Sequence, residues 1–266
     1  MTRYAFALVA LLVCVFDAAA GERRVLFAVN DDGERVTIEP IVLLDPIAEP
    51  NRDDEAFARR YFAASRPYVA SFNGKATGDV RPVEQVRTGC VSMAASALLT
   101  GSEEAQFATN FAPKPAGPAP REATEDELRM LRRWGRLFLV HRGLAAADVE
   151  KIEAEVLHVD PGDGTPLFVG SLHAVGSPQR PSGVVFFIAT AGDVSPTRVK
   201  TQYARFSERE PDPAQGVQWL FGTIDLDGDG VAELVTWRQE KEGHSYVVLR
   251  RKNGRWVATE GGGAGC

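Results

Sequence analysis

The sequence contains few of the residues and none of the motifs that mark the common enzyme active sites. It has 3 cysteines, 3 methionines and 4 histidines in 266 residues, and the histidines do not follow HExxH or any other paired-histidine spacing that binds zinc. A GxSxG elbow, a P-loop and a GxGxxG motif after a strand are all missing. The sequence therefore predicts no catalytic residue, and it does not indicate zinc or nucleotide chemistry.

A surplus of basic residues is also missing. The chain has 30 lysines and arginines against 36 aspartates and glutamates, for a formal net charge of −6. The four arginines between Arg129 and Arg136 are interpreted as the solvated face of a helix, and the sequence has no basic stripe with interleaved aromatic residues. This charge balance predicts that nucleic acid is not a partner, since phosphate binding needs clustered positive charge.

Long hydrophobic runs are limited to one, the twelve residues from Ala5 to Phe16. A membrane-spanning helix needs about 20 residues, so no membrane span is predicted. Arg3 precedes the run, and the small residues Ala18 to Ala20 follow it. This pattern is typical of a signal peptide covering residues 1–20, and it predicts a secreted or periplasmic protein.

Removal of that segment would take Cys14 away and leave Cys90 and Cys266. Two cysteines in an oxidising compartment predict one disulfide between them. The alternative is a buried Cys90 and a free or intermolecular thiol at Cys266, which would follow a mobile glycine run, Gly261 to Gly265.

Residues 21–110 are predicted to form an N-terminal α+β unit. Turn signals at Asp31 to Gly33 and at Asn73 and Gly74 indicate two hairpins. Helical spacing of aromatic residues predicts a helix over Asp53 to Ala64 between them. The apolar segment Cys90 to Leu99 fits a short helix or a buried strand, and its periodicity does not decide between the two.

Residues 111–123 are rich in proline and are predicted to be a linker. A connecting helix is predicted over residues 124–143, because Thr124 and Glu127 form a capping box at its start. We expect one apolar stripe of this helix to pack in the core. The residues of that stripe are Leu128, Leu131, Trp134, Leu137 and Phe138.

Residues 144–266 are predicted to form a C-terminal β unit that contains a four-stranded antiparallel meander. The Asn253 and Gly254 turn inside it is typical of a type I′ hairpin. The expected fold class is therefore α+β and rich in β-structure, with a hairpin-and-helix unit followed by an antiparallel meander, either propeller-blade-like or sandwiched. The predicted meander strands are Val217 to Ile224, Leu234 to Gln239, Tyr246 to Arg250 and Arg255 to Thr259.

The segment DLDGDGVAE, from Asp225 to Glu233, places carboxylates at positions 1, 3, 5 and 9 of one loop. Three aspartates so close together repel one another unless a hard cation neutralises them, and calcium binds six to eight oxygen ligands in such clusters. Gly228 and Gly230 favour the positive φ angles that a tight loop needs. The predicted Ca²⁺ ligands are the side chains of Asp225, Asp227, Asp229 and Glu233 and the backbone carbonyl of Val231.

The loop departs from an EF-hand, because Thr236 stands where an EF-hand has its bidentate glutamate and the flanking residues are typical of strands. The segment IDLDGDGVAELV, from Ile224 to Val235, resembles the calcium loop of FG-GAP and VCBS repeats. That resemblance implies a mainly structural metal, a blade-like meander and partner binding on other loops. Ile152 to Val175 fits a degenerate second copy, whose Asp160 and Asp163 are not predicted to bind metal. Two copies are fewer than the four blades, or more, of a closed propeller.

Together these features predict an exported calcium-binding protein that acts as a binding or structural module, with a protein or a carbohydrate as its partner. One alternative is an extracellular or periplasmic hydrolase with a structural calcium, in which His158 or His173 would belong to the site. Another is a periplasmic inhibitor or chaperone-like partner of an enzyme.

Overall fold

The computed structural model describes residues 23–50, 55–88, 92–101, 104–174, 182–191, 199–209 and 216–265. The expected signal peptide, Cys90 and Cys266 lie outside the described residues, so the disulfide stays a prediction. The described chain is built mainly from antiparallel sheets with two α-helices, which confirms the α+β, β-rich class. Neither helix is long and apolar enough to cross a membrane.

The N-terminal unit is a closed barrel of antiparallel strands in the order β1-β2-β5-β4-β3-β6, with β6 returning to β1. Closure of the barrel was not predicted, because it depends on β6 pairing with both β1 and β3, which are distant from it in sequence. The strands are β1 (Val25–Asp31), β2 (Val36–Leu43), β3 (Tyr68–Phe72), β4 (Lys75–Thr88), β5 (Ser92–Gly101) and β6 (Phe107–Thr109).

Helix α1 (Glu55–Tyr61) contributes to the core of the barrel. It ends three residues before the predicted end at Ala64, and the predicted start at Asp53 lies outside the described residues. Aromatic rings from α1 and the strands pack edge to face or tilted at 4.6 to 6.5 Å, which is a favourable range for such pairs. Both predicted hairpins are present as β1–β2 and β3–β4. The ambiguous apolar segment is strand β5 from Ser92 onward.

A second sheet has five strands in the order β11-β10-β9-β8-β7. Helix α2 (Glu125–His141) packs against one of its faces, and a short 3-10 helix (Ala146–Val149) follows the helix. The strands are β7 (Arg121–Glu122), β8 (Ile152–Val159), β9 (Leu167–Ala174), β10 (Ser182–Thr190) and β11 (Thr201–Arg209).

Helix α2 begins with the predicted capping box, since the Thr124 side chain accepts from the Glu127 amide and the Glu127 carboxylate accepts from the Thr124 amide. Leu131 and Trp134 are buried as expected. The prediction for Leu137 was wrong, because its side chain is 54% exposed. At about 100° per residue, this position lies about 120° around the helix from Leu131 and so points away from the sheet.

The predicted meander is present as a third sheet in the order β12-β13-β14-β15. Asn253 and Gly254 have φ angles of 51° and 73°, as a type I′ turn requires. The strands are β12 (Gln218–Ile224), β13 (Glu233–Glu240), β14 (Gly243–Lys252) and β15 (Arg255–Gly265).

This four-stranded sheet lies between the other two units. One face packs on the barrel, where Ile41 and Phe107 join a cluster with Tyr246. The other face packs on the five-stranded sheet, where Phe186 joins a cluster with Leu249. The two C-terminal sheets therefore form a sandwich, which decides between the two arrangements left open by the sequence.

The glycines near the end of the chain lie in β15, so the expectation of a mobile run was wrong for Gly261 to Gly265. A Cβ at Gly262 would lie 1.9 Å from the carbonyl oxygen of Pro40 in β2, and one at Gly261 would lie 2.8 Å from that of Ile41. The backbone of β15 approaches the barrel so closely that a side chain does not fit.

Candidate metal centre

The acidic loop connects β12 to β13, and the pairing of Ile224 with Glu233 closes the hairpin below it. Asp225 and Glu233 are buried, whereas Asp227 and Asp229 are exposed. The φ angles of Gly228 and Gly230 are 81° and 88°, in the left-handed region that favours glycine. The chain therefore bends around the carboxylates as the spacing predicted.

The loop brings three of the predicted ligands together, since one oxygen from each of Asp225, Asp227 and Asp229 lies within 4.8 Å of the others. Backbone amides hold them there. Asp225 accepts from the Gly228 amide at 2.6 Å and from the Gly230 amide at 3.1 Å. Because each carboxylate oxygen has two lone pairs, these bonds leave acceptor capacity for a cation.

None of the three aspartates forms an ion pair with a described residue. The nearby Arg24 donates to the carbonyl of Leu226 at 3.0 Å but pairs with Asp45 at 2.6 Å. Its hydrogen bond with Asp45 raises the pKa of Arg24 most, and the charge of Asp227 adds to the effect. The negative charge of the cluster is thus left without a direct protein partner among the described side chains.

Glu233 lies at the base of the loop and does not belong to the group of three. Its carboxylate accepts from the Leu226 amide at 2.7 Å. Burial raises the pKa of Glu233 to about 7, and the charges of Asp227 and Asp225 add to the effect. The amide of Val231 donates to Asp229 at 2.8 Å, while the ligand roles of the Val231 carbonyl and of Glu233 stay predictions.

A second acidic loop, Asp160 to Thr165 between β8 and β9, packs against the first. The amide of Ala232 donates to the carbonyl of Pro161 at 2.7 Å. A Cβ at Gly162 would lie 2.7 Å from the carbonyl oxygen of Gly230. The two segments interpreted as repeat copies therefore touch backbone to backbone, which the sequence did not predict.

One of the two carboxylates of the second loop is neutralised by the protein itself. Asp163 forms an ion pair with Arg251 of β14, and Asp160 accepts from the Gly162 amide at 2.9 Å. The two loops thus differ in a way that bears on metal binding, because among the described residues only the second has an arginine paired with one of its carboxylates. Sequence reasoning missed Arg251, which is distant in the chain.

The proline-rich segment contacts both loops. Lys114 forms an isolated backbone bridge with Asp225, and its ammonium group lies 3.5 Å from the point that a Cβ at Gly228 would occupy. A Cβ at Gly117 would lie 2.1 Å from the carbonyl oxygen of Asp160. Part of the segment predicted as a linker is therefore packed where the two loops meet.

The two histidines considered for a hydrolase make other contacts. His173 is buried, with Nε2 3.1 Å from a carboxylate oxygen of Glu153. His158 packs edge to face on Phe168, and its pKa is lowered by burial and then by the charge of Arg121. None of these partners is a nucleophilic hydroxyl or thiol.

Comparisons of the chain with protein-family models, curated proteins and solved structures gave no match. The resemblance to FG-GAP and VCBS repeats therefore rests on the loop residues alone and stays a prediction.

Proposed function

We propose that this chain is an exported calcium-binding protein, in which Ca²⁺ at the Asp225 loop stabilises the junction between three parts of the fold. It would act as a structural or binding module toward a protein or a carbohydrate. One observation carries the proposal: three carboxylates converge within 4.8 Å, and no described side chain forms an ion pair with them.

The donor set favours calcium over the alternatives. Hard carboxylate oxygens suit Ca²⁺ and Mg²⁺, and they suit softer metals less well. Two of the three carboxylates are exposed, so water can complete a coordination shell of six to eight oxygens. Mg²⁺ demands near-ideal octahedral geometry, whereas Ca²⁺ accepts irregular sets of ligands such as this loop offers. Millimolar extracellular calcium would saturate even a weak site of this kind.

The position of the loop explains what a bound ion would do. Arg24 of the barrel unit bonds to Leu226, Pro161 of the second loop bonds to Ala232, and Lys114 of the proline-rich segment pairs with Asp225. An ion that fixed the loop would hold all three contacts in place. The expected role of the metal is therefore structural, because it would fix the loop at which these parts meet.

The test is thermal unfolding of the purified protein in millimolar CaCl₂ and in EDTA. A ligand that binds only the folded state stabilises it by about 2.7 kcal/mol at a free concentration of 100 times its Kd. We expect a higher melting temperature in calcium and a smaller shift in MgCl₂. Asp227→Asn should abolish the calcium shift.

Asp163→Asn is the matched control, since it removes a carboxylate from the neighbouring loop that Arg251 already neutralises. It should lower the melting temperature but keep the calcium shift. A melting temperature that does not respond to calcium in the unmodified protein would refute the proposal.

A further inference from the structure

Within the described part of the chain, strand β8 has an edge that is paired along only part of its length. β7 covers it with two residues, Arg121 opposite His158 and Glu122 opposite Leu157. The amide of Ala123 then donates to the carbonyl of Val156 at 3.2 Å. Beyond this bond the chain turns into helix α2, so the β7 segment covers no more of the edge.

The next backbone groups along that edge belong to Ala154. In a strand, the N–H and C=O of alternate residues point to the same side. Because the Val156 carbonyl points toward β7, the amide and carbonyl of Ala154 do so too. No described residue forms a hydrogen bond with either group. A donor and an acceptor thus stand ready for another strand.

A cleft of about 400 Å³ opens at this edge, between β8, the start of α2 and β12. The ring of Trp219 and the side chains of Leu157, Val169 and Leu220 give it an apolar wall. This volume is within the range of ligand-binding clefts. It lies beside the free Ala154 groups, so a strand added there would place side chains in it.

Two carboxylates, Glu122 and Glu155, also line the cleft. Neither forms an ion pair with a described residue, whereas the neighbouring Glu153 contacts both Lys151 and His173. Burial raises the pKa of Glu155, His173 opposes this effect and the charge of Glu153 adds to it. The exposed carboxylate therefore lacks a full countercharge. A basic side chain would supply that charge.

We propose that the β8 edge binds an extended, basic segment of a partner protein as an added strand. An apolar side chain of the segment would pack against Trp219, and a lysine or arginine would pair with Glu155. Main-chain bonds to Ala154 would give affinity, and the carboxylates would select for positive charge. This site is separate from the calcium loop and does not depend on it.

The experiment measures the fluorescence anisotropy of a labelled Lys-Thr-Val-Thr-Lys peptide, whose lysines and valine lie on one face of a strand, with the purified protein at low salt. A Glu-Thr-Val-Thr-Glu peptide has the same strand pattern and the opposite charge. We expect the lysine peptide to bind at least about tenfold more tightly than the glutamate peptide. Hydrogen exchange read at single amides should show that the Ala154 amide becomes protected when the lysine peptide binds.

Glu155→Gln should weaken binding of the lysine peptide about threefold, since it removes one charge pair at an exposed position. Glu84→Gln, at an exposed position on the barrel, should leave binding unchanged. Equal binding of the two peptides, no binding of either up to millimolar concentration, full binding by Glu155→Gln, or an unprotected Ala154 amide would each overturn the proposal.

Discussion

The Nε2 atom of His244 lies 2.9 Å from Oε2 of Glu39, although 205 residues separate the two in the chain. The pair joins β2 of the barrel to β14 of the central sheet. The hydroxyl of Tyr246 donates to the same carboxylate oxygen at 3.4 Å. The Glu39 side chain is only 7% exposed, so this is a buried polar contact between the barrel and the central sheet, which the bonds of Arg24 and Gln106 also join.

Glu39→Ala should lower the free energy of unfolding by about 1–3 kcal/mol, because it leaves the donors of His244 and Tyr246 without their acceptor. Urea denaturation measures the loss. Glu34→Ala, in the exposed β1–β2 turn, is the control and should change stability by no more than about 0.5 kcal/mol. Equal losses in the two variants would contradict the assigned contact.

Thr124→Ala should destabilise the protein by about 1 kcal/mol, since it removes the side-chain acceptor of the capping box. Thr124→Ser keeps the hydroxyl and should cost much less. Both values follow from chemical denaturation monitored by circular dichroism. A serine variant as unstable as the alanine variant would show that the hydroxyl does not cap α2.

The ionisation of Glu127 should make the stability of the protein depend on pH under acidic conditions. Its hydrogen bond with Arg121 is the main cause that lowers its pKa from 4.5 to about 2. Because the folded-state pKa is the lower one, this carboxylate stabilises the fold fully above about pH 4.5, and the stabilisation is lost as the pH falls to about 2.

The measurement compares the unmodified protein with Glu127→Gln in urea across this pH range. The difference in unfolding free energy should shrink as the pH falls. A difference in unfolding free energy that does not change with pH would show that the ion pair between Glu127 and Arg121 does not stabilise the fold.

Gly162→Ala should disrupt the contact between the two acidic loops. Its φ of +102° strains any other residue, and its Cβ would lie 2.7 Å from the Gly230 carbonyl oxygen. Gly164→Ala is the matched control, because it has a φ of +72° but open space around the new methyl group.

We expect a loss of about 1 kcal/mol from backbone strain in the control and a clearly larger loss at position 162. Thermal unfolding of the two variants makes the comparison. Similar losses would mean that the contact between the loops contributes little to stability.

The sequence was sufficient where local chemistry decides the structure. The Thr124 capping box and the Asn253 and Gly254 turn depend on residues a few positions apart, so their patterns predicted the observed geometry. Barrel closure depends on β6 inserting between β1 and β3, which no local pattern encodes. The prediction that Leu137 is buried was wrong, because its position differs from those of the buried residues only in its angle around the helix.

The same division holds at the candidate metal centre. The aspartate spacing predicted which carboxylates converge, since they belong to one loop. Arg251, Pro161 and Lys114 come from three other segments, and their approach follows from how the sheets pack. Without them the sequence could not show that, within the described part of the chain, an arginine pairs with a carboxylate of the second acidic loop and none pairs with the first.

The contact between β2 and β15 has a consequence for the order in which the protein matures. Strand β2 can pair with β1 early, but Pro40 and Ile41 gain their cover only when Gly262 and Gly261 have been synthesised. Contacts so distant in sequence form late and slow folding. Until then this strand surface is open to solvent, and a partly folded chain that exposes it is prone to aggregate.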